Sequence, residues 1–193
     1  MAADVHIWWI GADAPDDVLM ETIRGRLASA FGIQARVYRH PDRPNHAFDP
    51  RRGQHSSSAI LKWLVGRDQS VRRTLAITDA DLFIPVLTFV YGEAQLGGRA
   101  AVVSTARLAL EQGGRSNPAV VADRIAKECV HEVGHTFGLL HCDSPRCVMT
   151  RSVNLIDVDA KTIALCAPCD AKLRELRQKD GDHEQGTHAH PRR

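Results

Sequence analysis

The chain has 193 residues, of which 44% are apolar and 25% charged, the proportions of an ordinary globular protein of one domain. A formal net charge of +2 gives no support for a nucleic-acid, membrane or acidic partner. No apolar run approaches the roughly eighteen residues of a membrane span, and Asp4 and His6 interrupt the N-terminus before a signal peptide could form. We therefore expect a cytoplasmic protein, with a monomer as the favoured state.

The first part of the chain predicts an α/β sheet. Branched and aromatic residues at 5–10 predict a buried strand. Pro15 then introduces a helix whose apolar residues recur at every fourth position as far as Phe31. A second strand at 33–38 completes a strand-helix-strand unit, in which the two strands are expected to be parallel.

The middle of the chain predicts three further strands. A loop at 39–55 leads to a helix and then to a strand at 74–78. Apolar residues at 87–91 and at 100–104 predict two more strands, and the Gly-bearing link between them is too short for a helical crossover. We therefore expect these two strands to be antiparallel. One of the two, with 87–91 favoured, would be the exposed edge strand, to which an extended peptide could add itself.

A long helix is predicted from Asn117 to about Phe137. Proline is favoured at the first helical position, because it lacks only an amide that would be unpaired there, and Pro118 occupies that position. The apolar residues of one helical stripe recur at a spacing of four and are expected to face the core. They are Val121, Ile125, Cys129, Val133 and Phe137. This pattern predicts that Cys129 is a small buried hydrophobe and not a ligand.

The end of this helix carries the residues of a possible metal site. His131 and His135 lie one turn apart on one face, the spacing at which two imidazoles reach one metal ion. Glu132 lies on an adjoining face, where it can hold a water without being a ligand. Gly138 can adopt the positive φ that ends the helix and brings His141 back as a third ligand. Three ligands leave one position for water, and water on zinc loses its proton near neutral pH.

Four of the five cysteines form two close pairs after the histidines. The pairs are Cys142 with Cys147 and Cys166 with Cys169. Two such pairs, separated by an intervening segment, are typical of closed, structural four-cysteine zinc sites. Disulfides are the alternative, which a reducing compartment disfavours. Because Cys142 adjoins His141, the second ion would also brace the third ligand of the first.

These motifs carry a family resemblance. The pattern HExxHxxGxxH followed by a methionine resembles the metzincin clan of zinc metallopeptidases. A cysteine directly after the third histidine, then Cys-x-x-x-x-Cys-x-Met and a later Cys-x-x-Cys, is similar to the archaemetzincins within that clan, and the match spans 131–169. The resemblance implies a catalytic zinc ion on the three histidines, with Glu132 as general base and acid. It also implies that Met149 forms a hydrophobic floor beneath this ion and that the four cysteines hold a structural zinc ion.

The predicted fold is α/β and metzincin-like. It has a twisted, mostly parallel five-stranded sheet with an antiparallel edge strand, an active-site helix and a small, zinc-bound helical subdomain at the C-terminus. We place a single metallopeptidase domain at 1–177, with subdomains at about 1–138 and about 139–177. The polar residues 178–193 are expected to form a disordered tail.

The predicted function is that of a zinc metallopeptidase with two zinc ions per chain and a peptide or protein substrate. Two alternatives stay open. One is a metal-dependent ribonuclease, against which the lack of a strongly basic composition argues. The other is a catalytically silent peptide-binding module in which both zinc ions only hold the fold, and the open fourth position of a three-ligand site argues against it.

Overall fold

The computed structural model describes residues 4–13, 15–39, 43–67, 71–110 and 117–186, with side chains as far as residue 179. The strands are β1 (Val5–Trp9), β2 (Ala35–Arg39), β3 (Phe48–Asp49), β4 (Gln54–Ser56), β5 (Arg73–Thr78), β6 (Leu82–Phe83), β7 (Gly92–Ala94) and β8 (Ala100–Ser104). The helices are α1 (Asp17–Phe31), α2 (Ser57–Arg67), α3 (Pro118–Thr136), α4 (Leu155–Ala160) and α5 (Ala167–Gly186).

Five strands form the main sheet, in the order β2-β1-β5-β8-β7. The pairs β1–β2, β1–β5 and β5–β8 are parallel, whereas β7 and β8 are antiparallel. Every residue of β5 and β8 is buried, because these central strands are covered on both faces. The predicted mostly parallel five-stranded sheet with an antiparallel edge strand is therefore confirmed.

The position of the edge strand was predicted wrongly. It is β7 that pairs with β8, whereas 85–88 form a turn and bend and Val90 makes an isolated antiparallel bridge to Leu82. Residues 87–91 form one wall of a cleft, and this position explains their apolar character without pairing in a sheet.

The predicted loop at 39–55 also contains short strands. In a second sheet of order β3-β4-β6, β4 pairs antiparallel with β3 and parallel with β6.

Helices cover both faces of the main sheet. Alternate residues of a strand point to opposite faces, so Leu75 and Ile77 of β5 join one apolar core while Ala76 joins the other. The first core packs against α1 and α3, and the second packs against α2. This arrangement holds α3 across the sheet close to the edge strand β7, and the candidate site lies there.

The ends of α3 follow from local sequence. The side chain of Asn117 accepts a hydrogen bond from the amide of Ala119, and Pro118 occupies the first turn. The helix ends at Thr136, and Gly138 takes a φ of +92°, a left-handed value that favours glycine. The predicted start and end of this helix are therefore confirmed.

The C-terminal part contains two helices. Asn154 and Asp157 form a reciprocal capping box at the start of α4. Helix α5 continues to Gly186, so the disordered tail predicted from 178 is wrong for the residues as far as Gly186, and 187–193 lie outside the described residues. Ion pairs of Glu175 with Lys179 at 2.7 Å and with Lys172 at 2.9 Å support this polar helix.

The subdomain boundary near residue 138 stays a prediction. Within the described residues, no helix combines the length and apolar character needed to cross a membrane.

Candidate active site and cysteine cluster

Three histidines that the sequence singled out meet at the end of α3, where their ligand nitrogens all lie within 4.8 Å of one another. His131 and His135 lie one turn apart, with ring centroids separated by 4.6 Å. The positive φ of Gly138 lets the chain turn back after the helix. This turn places the ring centroid of His141 at 5.3 Å from that of His131 and at 4.8 Å from that of His135.

The tautomers of two histidines follow from their hydrogen bonds. The Nδ1 atom of His131 lies 2.8 Å from the carbonyl oxygen of Val148, and Nδ1 of His135 lies 2.7 Å from that of Leu139. A carbonyl oxygen only accepts, so each Nδ1 carries the hydrogen and each Nε2 presents a lone pair. These two Nε2 atoms face each other at 3.1 Å. Two lone pairs at this distance repel unless a cation lies between them, so the histidines fit a metal ion.

The environment of the histidines keeps them neutral. Burial lowers the pKa of His131 well below its usual value, and it also lowers the pKa of His135 and His141. The charge of Lys161 acts in the same direction on all three. Because a histidine must be deprotonated to ligate, this electrostatic setting favours metal binding near neutral pH.

Glu132 lies between α3 and the edge strand. A Cβ atom at Gly92 would lie 2.7 Å from Cγ and 2.8 Å from Oε1 of Glu132, so only glycine leaves room for this carboxylate. Burial raises the pKa of Glu132 well above its usual value, the charge of Glu128 adds to this shift and Lys161 opposes it. A bound cation would act as Lys161 does and favour the carboxylate form.

Met149 is completely buried against the same turn of α3. A Cβ atom at Gly134 would lie only 2.6 Å from its sulfur atom, so the thioether packs directly on the helix backbone. The carbonyl of Met149 accepts a hydrogen bond of 3.0 Å from the amide of Cys142. The methionine therefore contacts the helix that carries two histidines and the segment that follows the third.

Four cysteines form a cluster beside the histidines. The sulfur atoms of Cys142, Cys147, Cys166 and Cys169 lie within 4.8 Å of one another. All four are free, and the sulfur atoms of Cys142 and Cys166 are 3.6 Å apart, far beyond the length of a disulfide bond. Tetrahedral zinc with Zn–S bonds of about 2.3 Å requires sulfurs about 3.8 Å apart, so this donor set fits one zinc ion. The fifth cysteine, Cys129, is buried in the core as predicted.

A cleft of about 480 Å³ opens beside the histidines. Its lining comes from the loop before β7 and the first residue of that strand, from α3, from His141 and from the segment after Met149. The contributing residues are 87–92, Glu128, His131, Glu132, His141 and 151–153. His131 and Glu132 are only 5% and 6% exposed, whereas His141 is exposed, so the site can be reached from solvent.

Side-chain hydrogen bonds fix the cleft wall that is formed by residues 87–91. Arg52 donates a hydrogen bond of 2.9 Å to the carbonyl of Leu87, and Gln54 donates one of 3.0 Å to the carbonyl of Thr88. The same Gln54 amide also donates to Asp81 at 2.9 Å. These bonds fix a loop that would otherwise lack regular structure, so the wall is preformed.

The family is decided by comparison with known sequences. The model of peptidase family M54 matches 31–175, most of the chain. The chain belongs to this family. Two curated relatives are archaemetzincins, from Methanopyrus kandleri at 41% identity over 138 residues and from Methanocaldococcus jannaschii at 37% over 161 residues. The first match covers 72% of this chain and 76% of the relative, and the second covers 83% and 88%.

Solved archaemetzincin structures agree with this assignment. The crystal structure from Methanopyrus kandleri matches with a TM-score of 0.80 at 33% identity, covering 90% of this chain and 96% of that one. The structure from Archaeoglobus fulgidus, complexed with malonate, matches with a TM-score of 0.72 at 31% identity, covering 87% and 98%. The resemblance, the fold class and the prediction of a zinc metallopeptidase are therefore confirmed.

Two charged residues of this archaemetzincin cleft were not singled out from sequence. Glu128 precedes Glu132 by one helical turn, and this spacing could have placed it on the same side of α3. Arg151 follows Met149 by two residues in a segment without helix or strand, where no periodicity predicts which side chain enters a cleft.

Lys161 joins three parts of the archaemetzincin site. Its Nζ atom lies 2.7 Å from Oε1 of Glu128 on α3, an ion pair in which both side chains are almost completely buried. It also donates a hydrogen bond of 3.3 Å to the carbonyl of Thr150, directly after Met149. The lysine itself follows α4, so one buried cation connects α3, the segment that contains Met149 and Thr150, and the end of α4.

We expect Lys161→Met to lower the free energy of unfolding by roughly 3–5 kcal/mol, because it leaves the carboxylate of Glu128 buried without a counter-charge. The double variant with Glu128→Met should recover most of this loss, since neither charge remains. Lys127→Met is the matched control: Lys127 is also buried, but its partner Asp123 is 46% exposed and can be solvated. Urea unfolding of the three variants measures the difference. Equal losses for the two single variants would contradict this account of the pair.

Proposed function

We propose that this archaemetzincin hydrolyses peptide bonds with Glu132 as general base and acid and with a zinc ion held by His131, His135 and His141. The observation that carries the proposal is one shared cleft, in which a buried glutamate and inward-facing histidine nitrogens meet an accessible surface. The hydrogen bonds to Val148 and Leu139 orient two of the rings, as expected for metal-binding histidines.

The roles of the residues follow from their environments. When bound, zinc supplies Lewis acidity and lowers the pKa of a coordinated water to near neutrality. Glu132 lies in the cleft beside His131, where its carboxylate can accept the proton of the attacking water and return it to the leaving amine. Contact with the backbone at Gly92 fixes the carboxylate against the edge strand. We expect the substrate to lie between that strand and the histidines.

We propose that the substrate adds to β7 as an extended strand. β7 is the last strand of the main sheet, so among the described residues its outer edge pairs with no other strand. The carboxylate of Glu93 in β7 accepts hydrogen bonds from the hydroxyls of Ser57 at 2.5 Å and Ser58 at 3.0 Å, which ties this short strand to the start of α2. A fixed edge can give main-chain hydrogen bonds to a peptide of any sequence.

We further propose that the four cysteines hold a second, structural zinc ion, which gives two ions per chain. Backbone amides support thiolate character in the cluster, since Ser144 donates to the sulfur of Cys142 and Cys166 donates to that of Cys147, both at 3.4 Å. A closed set of four sulfur ligands leaves no position for substrate. The cytoplasmic location and the monomeric state stay predictions.

The test is cleavage of a proteome-derived peptide library by the protein as purified, after removal of zinc, and after zinc is restored. We expect about two zinc ions per chain by metal analysis, cleavage that disappears with the metal, and recovery when zinc returns. RNA incubated in parallel should stay intact. Degradation of RNA would support the ribonuclease alternative. Full zinc occupancy without cleavage of any peptide would support the binding module.

A further inference from the structure

Arg151 is the charged residue of the cleft for which the proposed mechanism has no role. It is exposed and lines the cleft together with His131, Glu132 and His141. Among the described residues it is the only lysine or arginine that lines this cleft.

The other charges of the cleft are already compensated or assigned. The carboxylate of Glu128 lies 2.7 Å from the buried Nζ atom of Lys161, so this pair contributes little net charge. Glu132 is assigned to the attacking water. Arg151 has neither a hydrogen bond nor an ion pair with any described side chain, although a guanidinium offers five donors in a planar fork. Among the described protein side chains that line the cleft, Arg151 therefore supplies the one uncompensated positive charge, in addition to any charge of the proposed zinc ion.

The backbone that carries Arg151 is fixed on both sides. Thr150 donates its amide to the carbonyl of Cys147 at 3.0 Å and accepts a hydrogen bond from Lys161. Val153 donates its amide to the carboxylate of Asp157 at 2.9 Å. The side chain thus starts from a rigid position, which lowers the entropy lost when it binds a ligand.

We infer that Arg151 is a specificity-determining residue that binds a carboxylate of the peptide substrate. A guanidinium matches a carboxylate with two parallel hydrogen bonds, which gives direction as well as charge complementarity. The cleft also exposes apolar side chains, with Leu87 at 51% and Val153 at 67% exposure, and the guanidinium is the cationic anchor beside them for a side chain or chain end. This inference rests on the proposed peptidase function of the same cleft.

The carboxylate can belong to an acidic side chain or to the C-terminus of the substrate, and two sets of peptides separate these sources. In the first set, C-terminally amidated peptides carry Asp or Glu, or else Asn or Gln, at each position around the cleaved bond. In the second set, one neutral peptide is offered as free acid and as amide. We expect kcat/KM to be roughly tenfold to a hundredfold higher for the carboxylate in one of the two sets.

The variant Arg151→Gln should bring the ratio of kcat/KM for the carboxylate peptide to that for the amide peptide close to one. Arg151→Lys should leave an intermediate ratio, because lysine keeps the charge but cannot form two parallel hydrogen bonds to a carboxylate. Arg146→Gln is the matched control: it removes the same charge from an exposed residue of the same segment that lies outside the cleft, so the wild-type ratio should persist. Added salt should lower the wild-type ratio, since the arginine is exposed.

Wild-type cleavage with no carboxylate preference in either set would overturn the inference, as would a preference that Arg151→Gln leaves unchanged. Absence of any cleavage would instead count against the proposed function. To separate a failure of the proposed function from a failure of the inference about Arg151, the same peptides are titrated against the zinc-loaded Glu132→Gln variant, with and without Arg151→Gln. This titration measures binding without turnover. Equal affinity for acid and amide in this titration would also overturn the role of Arg151.

Discussion

Glu132→Gln is expected to lower kcat for peptide hydrolysis by roughly 10²–10⁴-fold, the range for loss of a positioned general base. The amide cannot accept the proton of the attacking water. It has nearly the same shape as the carboxylate, so the tight fit against Gly92 should be kept. Zinc content should be unchanged, because the three histidines and not Glu132 are the proposed ligands. Steady-state kinetics combined with metal analysis of the same preparation measures both effects.

Glu128→Gln is the matched control for this variant. It makes the same chemical change one helical turn earlier, in a residue that lines the same cleft but contacts Lys161. Its main effect should be on unfolding, since a buried lysine then lacks its counter-charge. Unchanged turnover in Glu132→Gln would end the proposed mechanism. Loss of zinc from that variant would show that Glu132 supports the metal and would leave its role as a base without support.

The candidate metal site could be predicted from sequence because its geometry is local. His131 and His135 are fixed relative to each other by one turn of helix, and the left-handed Gly138 determines how the chain returns to His141. The two cysteine pairs are likewise close in sequence within each pair. The spacing of these residues along the chain is enough to predict that the histidines can meet at one metal ion, and little of the rest of the fold needs to be known.

The cleft could not be predicted, because it depends on segments that are distant in sequence. Residues 87–91 are as apolar as a strand, yet tertiary contacts place them in a wall held by Arg52 and Gln54. The true edge strand, Gly92–Ala94, contains a glycine and a glutamate and carries no strand signal. Its glycine is explained by the close approach of two groups from other elements, the side chain of Glu132 on α3 and the carbonyl oxygen of Val102 on β8.

Dependence on segments that are distant in sequence also explains why the sequence does not indicate that Lys161 belongs to the site. A lysine is almost never fully buried unless it is paired, and Glu128, the partner of Lys161, lies on α3, which is distant in sequence. Only the packed structure shows that this cation lies near enough to act on His131, His135 and His141. A single sequence therefore does not show which charged residues from different helices and loops pair with one another in the site.

Cys166→Ser is expected to remove the proposed structural zinc ion and, with it, to weaken the binding of zinc at the histidines. A hydroxyl is a poor replacement for a thiolate, so the variant forfeits part of the roughly 10–16 kcal/mol that a structural zinc site can contribute. The effect should reach the catalytic site because Cys142 adjoins His141 and donates its amide to the carbonyl of Met149 at 3.0 Å. Loss of such outer support typically lowers metal affinity about 10- to 100-fold.

Competition with a zinc chelator measures this second effect, because the two sites should release their ions at different chelator concentrations. Cys129→Ala is the matched control: it removes a buried thiol from the core of the same region but none from the cluster, so both ions should remain despite some loss of stability. If Cys166→Ser keeps one zinc ion bound as tightly as in the wild type, the sites are independent. The cysteine cluster would then stabilise only the C-terminal helices, and the position of His141 would have to depend on the Gly138 turn and on Met149 alone.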